Sequence, residues 1–195
     1  MSNNLVTPVS TVQYAFVKNE EIIHHADGKV TPTGKYSITV SLNENDTQAF
    51  IEAIDKEWNE FLEKNGSGKE YNLSHYSMPT KIIDGKTYFV FRKNVSAVSK
   101  ETNQPVKLYV PLFDSENKNC TKKIASIGRD SQVRISYSFF PFYMNANNYG
   151  VSLRLQAIQI VKLVPIASNG NKYGFGVVAD GYVAQPVEDE VEIPY

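Results

Sequence analysis

The sequence predicts an all-β domain carrying a single helix, and three observations predict it. Residues 131–164 hold two alternating arms around a polar turn, MNANNYG. Residues 35–42 alternate as cleanly, with Tyr36, Ile38, Val40 and Leu42 on one face. Only residues 45–64 place apolar side chains at helical spacing. A period of two marks strands with one buried face, whereas a spacing of three and four marks a helix.

In chain order, residues 5–17 (LVTPVSTVQYAFV) read as a short extended strand weakened by Pro8, and Glu20 to Thr33 as a polar loop. After the strand at 35–42, Asn45 or Asp46 is placed to cap the helix. The helical stripe is Phe50, Ile54, Trp58 and Phe61, which assigns Trp58 to the core. NGSGKEYNLSHYSMPT (65–80) reads as a flexible connection. Its GSGK is not a phosphate loop, because Glu63 stands where the first glycine is needed and Glu70 where a hydroxyl should follow. Residues 87–99 and 105–114 are two further strands joined by the turn formers KETNQ, and residues 117–129 form a basic loop.

The hairpin at 131–164 carries most of the functional signal. Val133, Ile135, Tyr137 and Phe139 share its first arm's inward face, opposite Arg134, Ser136, Ser138 and Phe140. In the second arm Val151, Leu153, Leu155 and Ala157 alternate with Ser152, Arg154 and Gln156. Asn147, Asn148 and Gly150 offer the tolerance of positive φ that a tight turn uses. Pro141 is expected to interrupt the ladder, so that this arm bends or lies at an edge. The outward face mixes arginines, small hydroxyls and surplus aromatics. A single-stranded nucleic acid presents phosphates and unstacked bases together and suits such a face, while a second small core is the plainer alternative.

The net charge of −1 hides a segregation. Residues 1–80 carry 6 Lys/Arg against 11 Asp/Glu, residues 81–134 carry 11 against 5, and residues 135–172 carry 3 against none. From Tyr173 onward there are 5 acids and no cation. The stretch 81–172 is therefore +9 between acidic ends, the pattern of a polyanion-binding body with an acidic tail. The lone Cys120 has no internal disulfide partner, which points to a reducing compartment. The sequence has neither an apolar run of membrane-spanning length nor the pattern of a signal peptide, so a soluble intracellular protein is expected.

Little in the sequence suggests catalysis. His24, His25 and His75 lie in polar loops with no nucleophile elbow nearby, and one cysteine with an adjacent histidine pair does not make a zinc site. Asp84, Asp114, Glu116 and Asp130 are the carboxylates a metal-dependent nuclease would draw on, but each falls at a turn, where acids serve backbone conformation. Six strands, one helix and long polar loops fit a Greek-key barrel of the OB type, although the helix follows an unusually early strand. The expected electrostatic contacts are Lys35, Arg92, Lys93, Lys107, Lys122, Arg129, Arg134 and Arg154, with Tyr109, Phe142 and Tyr143 stacking on bases. Neither a catalytic residue, a cofactor nor a metal is expected.

Several stretches together resemble the single-stranded DNA-binding protein of T7-type bacteriophages. GKYSITVSLNENDTQAFIEAIDKEWNEF is similar to the family's strand and acid-rich helix, and FVFRKNVSAVSKETNQPVKLYVPLFDSENK to its basic hairpin. RISYSFFPFYMNANNYGVSLRLQAIQIVKLV is similar to its most recognisable stretch. GYVA at 181–184 and an acidic terminus ending in an aromatic complete the likeness. The resemblance implies an OB-fold domain over 1–185 that binds and anneals single strands in replication and recombination, in the cytoplasm of an infected bacterium. It also implies a homodimer without membrane contact, and a tail over 186–195 that meets the phage polymerase and helicase-primase. In that tail Glu188, Asp189, Glu190, Glu192 and Tyr195 would be the contacts. Position by position, Phe142 falls on a family tyrosine implicated in stacking, Met144 on a tryptophan, and Arg92 on a lysine of the groove. The rival readings are a metal-dependent nuclease on a β barrel and a phage structural protein.

Overall fold

The computed structural model describes residues 4–66 and 68–165. The opening strand is split at Pro8 into β1 (Leu5–Val6) and β2 (Ser10–Phe16). Glu20 to Thr33 is not plain loop: β3 (Ile22–His24) and β4 (Val30–Pro32) pair as a small exposed hairpin. β5 (Lys35–Ser41) follows, with Tyr36, Ile38 and Val40 buried as its alternation predicts. Ser37, Thr39 and Ser41 are buried too, so alternation here sorts large from small rather than inside from outside.

The helix α1 spans Glu44–Asn65, and its cap is Asn43 rather than Asn45 or Asp46. The Asn43 side-chain oxygen accepts from the Asp46 backbone N–H at 2.8 Å, satisfying one of the free donors of the first turn. Phe50 and Ile54 are the buried pair of the stripe. The Phe50 ring sits 4.7 Å from Phe89, 5.4 Å from Tyr137 and 6.2 Å from Phe91. Burying a side chain of this size stabilises by roughly 1.5–3 kcal/mol, which fixes the helix against the sheet.

The connection at 65–80 contains a 3₁₀ turn (Leu73–His75) and β6 (Tyr76–Ser77). Then come β7 (Thr80–Ile83) and β8 (Lys86–Asn94), joined by Asp84 and Gly85, both at positive φ (50° and 76°). Two successive positive φ values match the right-handed strand twist in a two-residue hairpin. KETNQ does join two strands, β9 (Ser96–Val98) and β10 (Pro105–Lys107), which among the described residues pair only with each other. The strand expected over 105–114 is therefore broken, and its end is β11 (Leu112–Phe113).

The hairpin is formed by β12 (Gln132–Asn145) and β13 (Asn148–Lys162). Pro141 does not interrupt it, since Pro141↔Val151 stays in register. β1 reaches only Ser136 and Tyr137. Beyond them the outer edge of β12 has no strand partner among the described residues, so a proline costs no ladder bond there. At the tip, Asn147 and Asn148 are not at positive φ. Asn145 instead accepts the Asn147 N–H on its side-chain oxygen at 3.0 Å. A bulge at Gln156, between Ser136↔Ala157 and Tyr137↔Leu155, shifts the inward set from Ala157 to Ile158 and Ile160.

β2 pairs with β5, β5 with β8, β8 with β13, β13 with β12, and β12 with β2 again, so the pairings form a circuit. All are antiparallel except β8–β13. Its interior holds Ile38, Val40, Phe89, Phe91, Leu112, Ile135, Leu153, Leu155 and Ile158, each at most 1% exposed.

Candidate nucleic-acid interface

The parallel β8–β13 contact sets Arg92 beside Arg154. The same row continues to Ser37 on β5 and Ser138 on β12. In register, two arginines thus lie between Ser37, which is buried, and Ser138, which is half-buried. One register step along β5 and β8, Tyr36 pairs with Lys93, and the next step pairs Lys35 with Asn94. Across β12, period two brings Phe140, Phe142 and Met144 to one face. Lys35, Arg92, Lys93, Arg154, Phe140, Phe142 and Met144, with Ser77–Pro79 at the rim, line an open groove of about 600 Å³.

Two contacts define its electrostatics. The Arg154 guanidinium carbon lies 3.2 Å from the centre of the Phe140 ring, in a cation–π contact. Burial lowers the pKa of Arg154, as it lowers that of Lys93. Arg92 has a different neighbour: its Nε stands 3.8 Å from the Glu21 carboxylate. Glu21 is held where it is by its own backbone, donating to the Lys35 carbonyl at 2.8 Å and accepting from Thr33 at 2.9 Å. The β3–β4 hairpin thereby puts an acid at a cationic site.

A glycine shapes the rim. Gly150 has φ of 146°, and a Cβ there would come within 2.1 Å of the Ser77 carbonyl oxygen. This close approach lets β6 lie parallel to the start of β13, Tyr149↔Tyr76 and Gly150↔Ser77.

Of the residues expected from sequence, Lys35, Arg92, Lys93, Phe142 and Arg154 line this groove together. Tyr143 does not, because parity along β12 turns it to the opposite side from Phe142 and Met144. Its hydroxyl donates to the Glu70 carbonyl at 3.0 Å, and its ring packs 5.3 Å from Tyr71 beneath Lys69. Lys107 and Tyr109 flank Leu108, which does line the groove and whose carbonyl accepts from the Tyr36 hydroxyl at 3.0 Å. Arg134 lies farther down β12, in register with Gln159, while Lys122 and Arg129 sit in the loop between β11 and β12. Sequence reasoning puts Phe140 on this face without naming it among the stacking residues, and leaves Glu21 out of the site. Phe140 had a signal, sharing the parity of Phe142, whereas Glu21 had none. Glu188, Asp189, Glu190, Glu192 and Tyr195 lie outside the described residues.

The turn carboxylates serve conformation. Asp114 accepts the N–H groups of Glu116 and Lys118, and Asp84 and Asp130 occupy positive φ. Among the described residues, no three His, Cys, Asp or Glu are grouped to hold a metal ion. No helix among them is long and apolar enough to cross a membrane.

In fold, the chain is similar to gp2.5, a single-stranded DNA binding protein encoded by bacteriophage T7. The TM-score is 0.64 at 22% identity, over 86% of this chain and 96% of that one. It is also similar to the single-stranded DNA-binding protein from bacteriophage Enc34, with a TM-score of 0.55 at 13% identity, over 87% and 89% of the two chains. The same Enc34 protein in complex with ssDNA gives 0.56 at 14%, over 84% and 89%. At these identities the likeness is one of fold. No family model and no curated protein matches the chain.

Proposed function

We propose that this chain, which shares the fold of phage single-stranded DNA-binding proteins, binds single-stranded DNA without sequence preference and is not an enzyme. The observation that carries the reading is the groove, where Lys35, Arg92, Lys93 and Arg154 interleave with Phe140, Phe142 and Met144. Lys35, Arg92 and Lys93 can track a phosphate backbone, and rings accept any base, because every base has a π-face. Side chains two apart on a strand are about 7 Å apart, the reach of one extended nucleotide. The strand circuit, with its one parallel contact, supports reading the domain as an OB Greek-key barrel with the helix inserted after its second strand. In this proposal the protein coats, protects and anneals strands during phage replication and recombination. Its acidic terminus would serve the polymerase and helicase-primase, as the sequence resemblance implies, and the protein would act as a homodimer.

The test is fluorescence anisotropy of a labelled oligo-dT against duplex of the same length, at two salt concentrations. Single strands should bind more tightly, with a log–log salt slope of about −0.7 for each phosphate neutralised. Equal affinity for duplex, or a slope near zero, would overturn the reading.

A further inference from the structure

We propose that Arg154 and Phe140 form a composite platform on which a nucleobase stacks, so that Arg154 contacts a base rather than a phosphate. The inference rests on the single-strand reading of the groove and assigns a chemical role to one part of it. At 3.2 Å from the ring centre, the guanidinium is in van der Waals contact with the middle of the Phe140 face. Phe140 is 39% exposed and Arg154 is exposed as well, and both line the groove. The ring covers one face of the guanidinium, leaving the guanidinium's other face for a flat, weakly hydrated partner. A nucleobase has that shape and chemistry, and guanidinium planes stack bases as aromatic rings do.

The neighbours divide the work. Arg92, directly across in register, is paired with a carboxylate, as a cation in an anion site is. Arg154 is paired with a ring. Phe142, two residues beyond Phe140 on the same strand, offers the next stacking surface about 7 Å away. Two successive bases can then lie on Arg154 and Phe142 while the backbone passes over Arg92, Lys93 and Lys35.

Lysine keeps the charge of arginine but has no plane to stack, and this separates the two roles. Wild type, Arg154→Lys and Phe140→Leu are titrated with oligo-dT and with an abasic oligomer of equal length and phosphate count. Arg154→Lys should weaken oligo-dT binding on the order of tenfold and leave binding of the abasic oligomer unchanged. Phe140→Leu, which leaves the arginine charged but removes the ring beneath it, should show the same selective loss. Melting curves establish that each variant is folded before titration. If Arg154→Lys binds oligo-dT as wild type does, or loses equally on the abasic oligomer, Arg154 is a charge contact and the platform is wrong. If folded wild type ignores oligo-dT altogether, the proposed function itself falls, a different result from either.

Discussion

Under the proposed single-strand binding, Glu21→Gln tests how the groove is held before a strand arrives. Glu21 stands 3.8 Å from Arg92. At that distance a unit charge pair in a surface-like dielectric interacts by about 4 kcal/mol before screening. The Arg92 side chain is 37% exposed, and exposed pairs measure about 1 kcal/mol or less once solvent and side-chain entropy are counted. A phosphate competing for Arg92 must overcome that interaction. The substitution should therefore tighten single-strand binding by about 1 kcal/mol, roughly fivefold. It should also steepen the salt slope by about 0.7, because one more cation is then free to displace counterions. The gain should shrink as salt rises, since the Debye length falls from about 10 Å at 0.1 M to about 3 Å at 1 M. Anisotropy titrations of both proteins across that range measure all three quantities. Weaker binding with an unchanged slope would refute the reasoning and make Glu21 a strut that orients Arg92.

Phe142→Ala should weaken oligo-dT binding by about 1–3 kcal/mol with little change in melting temperature; a large drop in melting temperature with full affinity in the folded fraction would make it a core residue. Gly150→Ala must clear the Ser77 carbonyl from a position 2.1 Å away. It should destabilise by at least about 2 kcal/mol and distort the groove rim, as read by chemical denaturation and oligo-dT affinity. Burial, with Glu57 adding to it, pushes the Tyr137 hydroxyl up to about 12. Burial, then Asp55 and Tyr149, does the same for Tyr76. The folded state keeps these protons above the unfolded tyrosine value near 10, so stability should hold below about pH 10 and fall as pH rises to about 12. Denaturant midpoints measured across that range check the sign.

Much of this site could be read from strand parity. The alternation of β5 and β12 sorts Tyr36, Ile38 and Ile135 from Lys35, Arg134 and Phe142 without any tertiary knowledge. The same rule should have separated Tyr143 from Phe142, since adjacent residues on a strand face opposite ways. Asp84-Gly85 between apolar runs was an equally local signal for the β7–β8 hairpin. What lay beyond the sequence is long-range. The registered β8–β13 contact covers only Phe91–Leu153 and Arg92–Arg154, and no local pattern predicts which two arginines it brings together. Glu21 lies 71 positions from Arg92 and meets it through a hairpin whose residues look like loop. The Gln156 bulge, too, resets parity midway along β13, which periodicity alone carries straight through.

The lone tryptophan has an optical consequence. Trp58 stacks on Phe61 and Tyr149 at 5.4 Å each, with Tyr76 at 5.4 Å and Tyr71 at 6.1 Å. At these distances light absorbed by the tyrosines should pass to the indole, so the cluster is expected to emit as one fluorophore. That fluorophore packs against Tyr149, next to the glycine at the groove rim, and does not line the groove itself. Intrinsic emission in a DNA titration should therefore respond to movement of the hairpin tip, through Tyr149, and not to a base arriving on Phe142. Following occupancy of the groove requires a dye on the nucleic acid.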